Sequence, residues 1–307
     1  MHPNALLPLI SSLLSFLFAA LTLDQYLHRR KMYQLVWTVG MLWYALSAGT
    51  EFLGGAFGWS VPLYRWWYLI GAIGVAAYLG LGTIYLLARG AFGWLAIAAL
   101  VVGALPAVFS GYRETGFGAL AAAALLVLVR WRRPTWFAHA FLAVTLVGTA
   151  LAAIVVFSAP VDASLLPKSA DQVVNGQAFP AYVRIITPLF NITGAFALSL
   201  GAAYSAFQFW RARTMPRRLV SNVFIAVGAF VPGLTSGLSR FGITSAFFVG
   251  ELLGVVLIFV GFLVSTEIFA KEGFATKFLN VGLFGMRRAS PEAAGTGISE
   301  SDRGPID

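Results

Sequence analysis

The sequence predicts an all-α integral membrane protein of nine transmembrane helices, with its N-terminus outside and its C-terminus in the cytoplasm. Three observations carry that expectation. Of the 307 residues, 59% are hydrophobic and 11% are charged, against about 25% charged in an ordinary soluble domain. Apolar runs long enough to cross ~30 Å of hydrocarbon follow one another almost end to end. The basic residues fall in short clusters between those runs, where they set orientation. That distribution, rather than nucleic-acid binding, accounts for the net charge of +9. There is no cysteine, which excludes disulfides, thiolate metal sites and cysteine nucleophiles.

The spans fall at about 5–27, 34–56, 64–88, 92–110, 115–130, 136–158, 183–210, 219–238 and 244–270. The first follows Met1-His2-Pro3-Asn4 without a basic leader and precedes Arg29-Arg30-Lys31, the pattern of an uncleaved anchor. The fifth span is short for a full crossing; merging 92–130 would leave eight spans. Charge decides for nine. With the N-terminus outside, Arg29, Arg30, Lys31, Arg89, Arg130, Arg132, Arg133, Arg211, Arg213, Arg217, Arg218 and five tail residues lie in the cytoplasm. They are sixteen of the 21 Lys and Arg. Only Arg65, Arg113, Lys168, Arg184 and Arg240 fall outside. Residues 1–270 thus form the transmembrane domain, with an external loop at 159–182 in which Ser169-Ala170-Asp171 could cap a short helix. The tail 271–307 opens on an interfacial stretch (Lys277-Phe278-Leu279 to Met286-Arg287-Arg288) and ends in a disordered, Gly-, Ser- and acid-rich segment.

The chain also echoes itself. At a constant offset, Arg65, Ile73, Ala76, Leu79, Leu81, Gly82 and Tyr85 match Arg184, Ile192, Ala195, Leu198, Leu200, Gly201 and Tyr204. Val102-Gly103-Ala104-Leu105-Pro106 resembles Val227-Gly228-Ala229-Phe230-Val231-Pro232 in the same way. The echoing spans are four apart, so both copies cross in one direction. Spans 2–5 and 6–9 would then be a parallel four-helix repeat. Chance matching in a Gly-, Ala- and Leu-rich chain is the alternative.

Ionisable groups inside hydrocarbon are expensive and point to function. Glu51 in the second span and Glu251 in the ninth are such groups, and Arg65, Arg184 and Arg240 start or end spans at the same outer level. They could converge as one external-facing cluster, Glu51 with Arg65 and Glu251 with Arg184 or Arg240, serving a ligand or ion. Structural ion pairs or snorkelling arginines are the other reading. Pro232-Gly233-Leu234-Thr235-Ser236-Gly237 should interrupt the eighth span and free carbonyls there, with Thr235 and Ser236 joined by Asn191 and Thr193 of the seventh. Tyr85 and Tyr204 complete the candidate set through the repeat. Asp24 and His28 share a helix face, and His139 lies at the same level. Trp59, Trp66, Trp67, Trp131, Trp136 and Trp210 read as interfacial belts. No residue pattern calls for a metal or another cofactor, and there is no hydrolase triad, so an enzyme is not expected.

One stretch has a relative. Trp37, Trp43-Tyr44-Ala45-Leu46, Glu51 and Arg65-Trp66-Trp67-Tyr68-Leu69-Ile70-Gly71 resemble the second and third spans of the seven-helix sensor region of bacterial histidine kinases. The family's acidic span end and Arg-x-x-Tyr-Leu-Gly-like start would correspond to Glu51, Arg65, Tyr68, Leu69 and Gly71, with Ile70 inserted. The resemblance covers residues 36–88, implies sensing, and comes without a kinase region. The expectation is a transporter-like protein for a small solute or ion in a prokaryotic cytoplasmic membrane, its outer arginines favouring an anionic group. The alternative is a receptor-like or accessory subunit that senses a ligand or binds a protein partner. Lipids are partners either way.

Overall fold

In the computed structural model, residues 3–169, 172–213, 216–240 and 247–264 are described. The expected tail lies outside them, as do residues 170–171 of the expected loop cap and the side chain of Arg240. Among the described residues there is no strand. The long helices are α1 (Pro3–Arg29), α2 (Met32–Phe57), α3 (Val61–Leu87), α4 (Phe92–Phe109), α5 (Arg113–Arg132), α6 (Phe137–Ser158), α7 (Ala181–Ala212), α8 (Pro216–Arg240) and α9 (Phe247–Val264). Eight of them, all but α2, are long and apolar enough to cross a membrane. The chain is a multi-pass integral membrane protein. Helix α2 is 26 residues long but carries Gln34, Trp37, Trp43, Tyr44 and Glu51. Of these Gln34 and Glu51 are buried, so its polarity faces protein.

Boundaries follow local chemistry. Gly58 leaves α2 with φ 92° and Gly111 separates α4 from α5 with φ 78°, a conformation glycine adopts without a Cβ clash. The expected short fifth span is thus a separate helix of 20 residues. Helix α3 begins with Ser60 accepting the Leu63 N–H and Pro62 in its first turn.

Helix packing places α2 between α1 and α3, α7 between α3 and α8, and α9 between α8 and α1. Among the described residues these six helices close a ring, filled by Phe18, Met41, Leu79, Leu198, Val255, Ile258 and Phe262. Helices α4, α5 and α6 sit outside it, α4 against α7 and α5 against α4. Helices α3 and α7 run parallel. The Tyr68 and Thr187 hydroxyls share a hydrogen bond of 2.7 Å, and a Cβ on Gly194 would strike the Ala76 carbonyl. One on Gly201 would strike Thr83. Both residue numbers rise together along the seam. Small residues allow this approach.

The interrupted helix is not where the sequence placed it. Helix α8 runs unbroken through Pro232 and Gly233. Proline removes one N–H and crowds the carbonyl four residues back; here that residue is Gly228, and both Gly228 O and the Pro232 ring pack on Gly254 of α9. The irregularities lie instead in α3 and α7. Tyr68–Gly74 of α3 is π-helical, and α7 breaks at Ile185 between Ala181–Arg184 and Ile186–Ala212. Pro188 explains that break, because its ring crowds the Arg184 carbonyl.

Candidate functional site

Glu51 and Glu251 meet. The two carboxyl groups, from α2 and α9, are within hydrogen-bonding reach of each other. Glu51 is 6% exposed. Its Oε1 accepts the Trp67 indole N–H at 2.8 Å, and its Oε2 has no hydrogen-bond donor. Tyr44, two helical turns before Glu51, donates its hydroxyl to the Glu251 backbone carbonyl at 2.9 Å and so ties α2 to α9 beside the pair. Thr235 of α8 packs on Gly250, next to Glu251. It donates to the carbonyls of its own helix at Val231 (3.2 Å) and Pro232 (3.3 Å). Helix α1, packed on the two helices that carry the acids, buries Ser11 and Ser15 without hydrogen-bond partners and uses Ser12 to donate to Ala45 O at 2.8 Å.

The pair is set against an irregular backbone. The π-helical segment starts at the residue after Trp67, and its Gly71 and Gly74 leave no room for a Cβ against Ser47 and Trp43 of α2. Single π-turns are frequent at functional sites. Beyond Trp67 lies an aromatic layer of Trp59, Tyr64, Tyr68 and Phe179. Tyr64 donates to Asn175 O at 2.7 Å. The loop between α6 and α7 therefore packs on the start of α3 through buried Leu166, Val174, Ala178 and Phe179. An open hollow of about 460 Å³ in that loop, lined in part by Lys168, Gln172 and Asn175, lies apart from the acids.

The arginines do not join them. Arg65 donates to the carbonyls of Val156 (3.0 Å), Phe157 and Ala159 (2.8 Å) at the end of α6. The expected pairing with Glu51 fails for a geometric reason. Residues two apart on a helix point about 200° apart, so a helix that aims Trp67 at Glu51 turns Arg65 away. Arg184 is exposed. Arg240 ends α8. Among the described residues no Lys or Arg is paired with either glutamate.

The remaining candidates lie elsewhere. Thr193 donates to Leu189 O at 2.6 Å and packs on Gly103. Asn191 and Ser236 are partly buried on α7 and α8. Tyr85, ~27 Å along α3 from Trp67, bonds His139 Nδ1 at 2.9 Å, and Tyr204 stacks near Phe92. His28 Nδ1 lies 3.5 Å from the Asp24 carboxylate and 2.8 Å from its backbone carbonyl. The sequence reading missed Trp67 and Tyr44. Trp66, Trp131, Trp136 and Trp210 are exposed, as a belt requires, but Trp67 is 6% exposed. The signal was its spacing. Tyr64, Trp67 and Tyr68 stand at i, i+3 and i+4, one helix face, and Tyr44 shares a face with Glu51. Comparison with known families, curated proteins and solved structures gives no match.

Proposed function

We propose that this protein is transporter-like and moves a small ion across a prokaryotic cytoplasmic membrane, with Glu51 and Glu251 as its ion site. The carrying observation is that two acids, 200 positions apart (251 − 51), lie together, Glu51 buried and Glu251 partly buried, with one indole N–H on Glu51. Burying charge is costly unless it is paired. Among the described side chains no arginine answers these two carboxyls, which supports reading them as kept for a cation. Of the outer arginines expected to favour an anionic solute, Arg65 is held by three carbonyls. Nine crossings, the N-terminus outside and a duplicated parallel unit belong to the same proposal, supported by the parallel seam of α3 and α7. Reconstituted into vesicles, the protein should carry protons or an alkali cation down a gradient, and E251Q should abolish the flux. Folded protein that moves none of them overturns the reading. The hollow in the α6–α7 loop favours a second one, a receptor-like subunit binding a ligand there. Ligand-dependent stabilisation removed by K168A, in protein without flux, would select it.

A further inference from the structure

Two ionised carboxylates are acceptors only, and like charges in contact within a low-dielectric interior cannot both persist. Something positive has to lie between Glu51 and Glu251. A metal ion of the hard kind gathers six or more oxygen ligands. Among the described residues no three His, Cys, Asp or Glu side chains assemble for one. The donor already in place, the Trp67 N–H on Glu51 Oε1, suits an anion and would repel a cation. A proton fits the same space without further ligands, since a protonated carboxyl supplies one O–H donor.

We propose that Glu51 and Glu251 hold one proton between them at neutral pH, with Glu251 as the acid and Glu51 as the carboxylate. The assignment of partners follows from their donors. Glu51 accepts the indole N–H on one oxygen and leaves Oε2, buried and without another donor, for an O–H from Glu251. The Tyr44 hydroxyl, the other titratable group at the pair, is spent on the Glu251 backbone carbonyl and gives the carboxyl nothing. Among the described side chains, helix α1 offers Ser11, Ser12 and Ser15 and α8 offers Thr235, while the side chains of 237–240 lie outside them. Losing the proton converts acid plus carboxylate into two carboxylates, a change of one charge at the point where α2, α3 and α9 meet. The inference deepens the function proposed above, since it names the ion, and it rests on the pair being the ion site.

Infrared difference spectroscopy on the full chain in lipid nanodiscs tests it. At neutral pH and in the absence of added sodium or potassium, the wild type should show a carboxylic-acid C=O stretch that shifts in D2O. E251Q should remove it. E51Q should keep it at a shifted frequency, because Glu251 stays neutral beside an amide. Circular dichroism of each variant verifies that it is folded. Absence of the band in wild type, its survival in folded E251Q, or its loss on adding sodium or potassium would each overturn the proposal. The vesicle flux assay separates the two claims. The band without flux leaves the shared proton standing and removes transport. Flux of an alkali cation without the band leaves transport standing and removes the shared proton.

Discussion

Arg65 and Glu51 are both ionisable groups in an apolar fold, and the protein treats them in opposite ways. Arg65 meets the last carbonyls of α6, groups that a helix end leaves without partners and that carry the negative end of its dipole. A guanidinium has five donors in a fixed fork, and three carbonyls take them up. Glu51 receives one donor from Trp67 and otherwise faces its own kind in Glu251. The arginine is finished by backbone; the acid is left with an oxygen open to exchange. Groups of the first kind hold a fold together. The function proposed above keeps those of the second for ion exchange, since a buried ionic pair can often be replaced by apolar residues at little cost.

That contrast can be broken by substitution. The largest effect expected is on flux. E51Q and E251Q should each reduce ion movement to the protein-free background, while stability stays within about 1 kcal/mol of wild type, rising more in E51Q, which removes the buried carboxylate. Flux into vesicles and thermal unfolding in detergent, measured on the same preparations, check both halves. R65A should do the reverse. Removing three charge-assisted hydrogen bonds and stranding their carbonyls costs about 3 kcal/mol, seen as a lower melting temperature with flux per folded molecule retained. R65K should recover only part, since a compact ammonium cannot reach three carbonyls as the fork does. If R65K keeps its stability and loses its flux, Arg65 belongs to the site and the contrast is wrong.

A smaller effect separates two neighbours. Trp67→Phe deletes the indole N–H on Glu51 and should cost about 2 kcal/mol, the range for a hydrogen bond to a charged group. Trp66→Phe, on the exposed side of the same turn, should stay within about 0.5 kcal/mol. Equal effects from both would show that the bond to Glu51 carries no weight.

These neighbours also mark what could be read from the sequence. Apolar run length announced the helices, and the cost of charge in hydrocarbon singled out Glu51 and Glu251. Which partner each would find was not legible, because it depends on α9 closing the six-helix ring against α1, and no local pattern encodes a contact between residues 51 and 251. The arginines looked like the natural partners by charge alone, but helix rotation sends Arg65 to α6. Pro232 misled for a related reason: a proline breaks a helix only where its neighbours cannot absorb it, and Gly228 with Gly254 absorbs this one. The π-helical turn at Tyr68–Gly74 was invisible because it answers to Trp43 and Ser47 across the seam rather than to its own residues.

The smallest effect concerns an exposed acid outside the long helices. Asp162, in the loop between α6 and α7, is fully exposed and accepts the Ser164 hydroxyl at 2.6 Å and the Ser164 N–H at 3.0 Å on Oδ1. Those two donors hold its carboxyl below the usual carboxylate range, the hydroxyl contributing most. A carboxyl depressed in the folded state stabilises it above the unfolded value, about 3.9, and that contribution disappears as pH falls through the folded value. Hydrogen exchange at the Ser164 amide should therefore be insensitive to protonation of Asp162 between pH 5 and 8, on the order of the neutral range, once intrinsic exchange rates are removed. Protection should fall only below about pH 4. D162N retains an acceptor for the turn and should remove the acid limb while leaving ion flux unchanged. A D162N protein whose flux loses its pH response would move the titrating group from Glu51 and Glu251 to the loop, and would undo the distinction between the acid pair among the helices and the exposed acid of the loop.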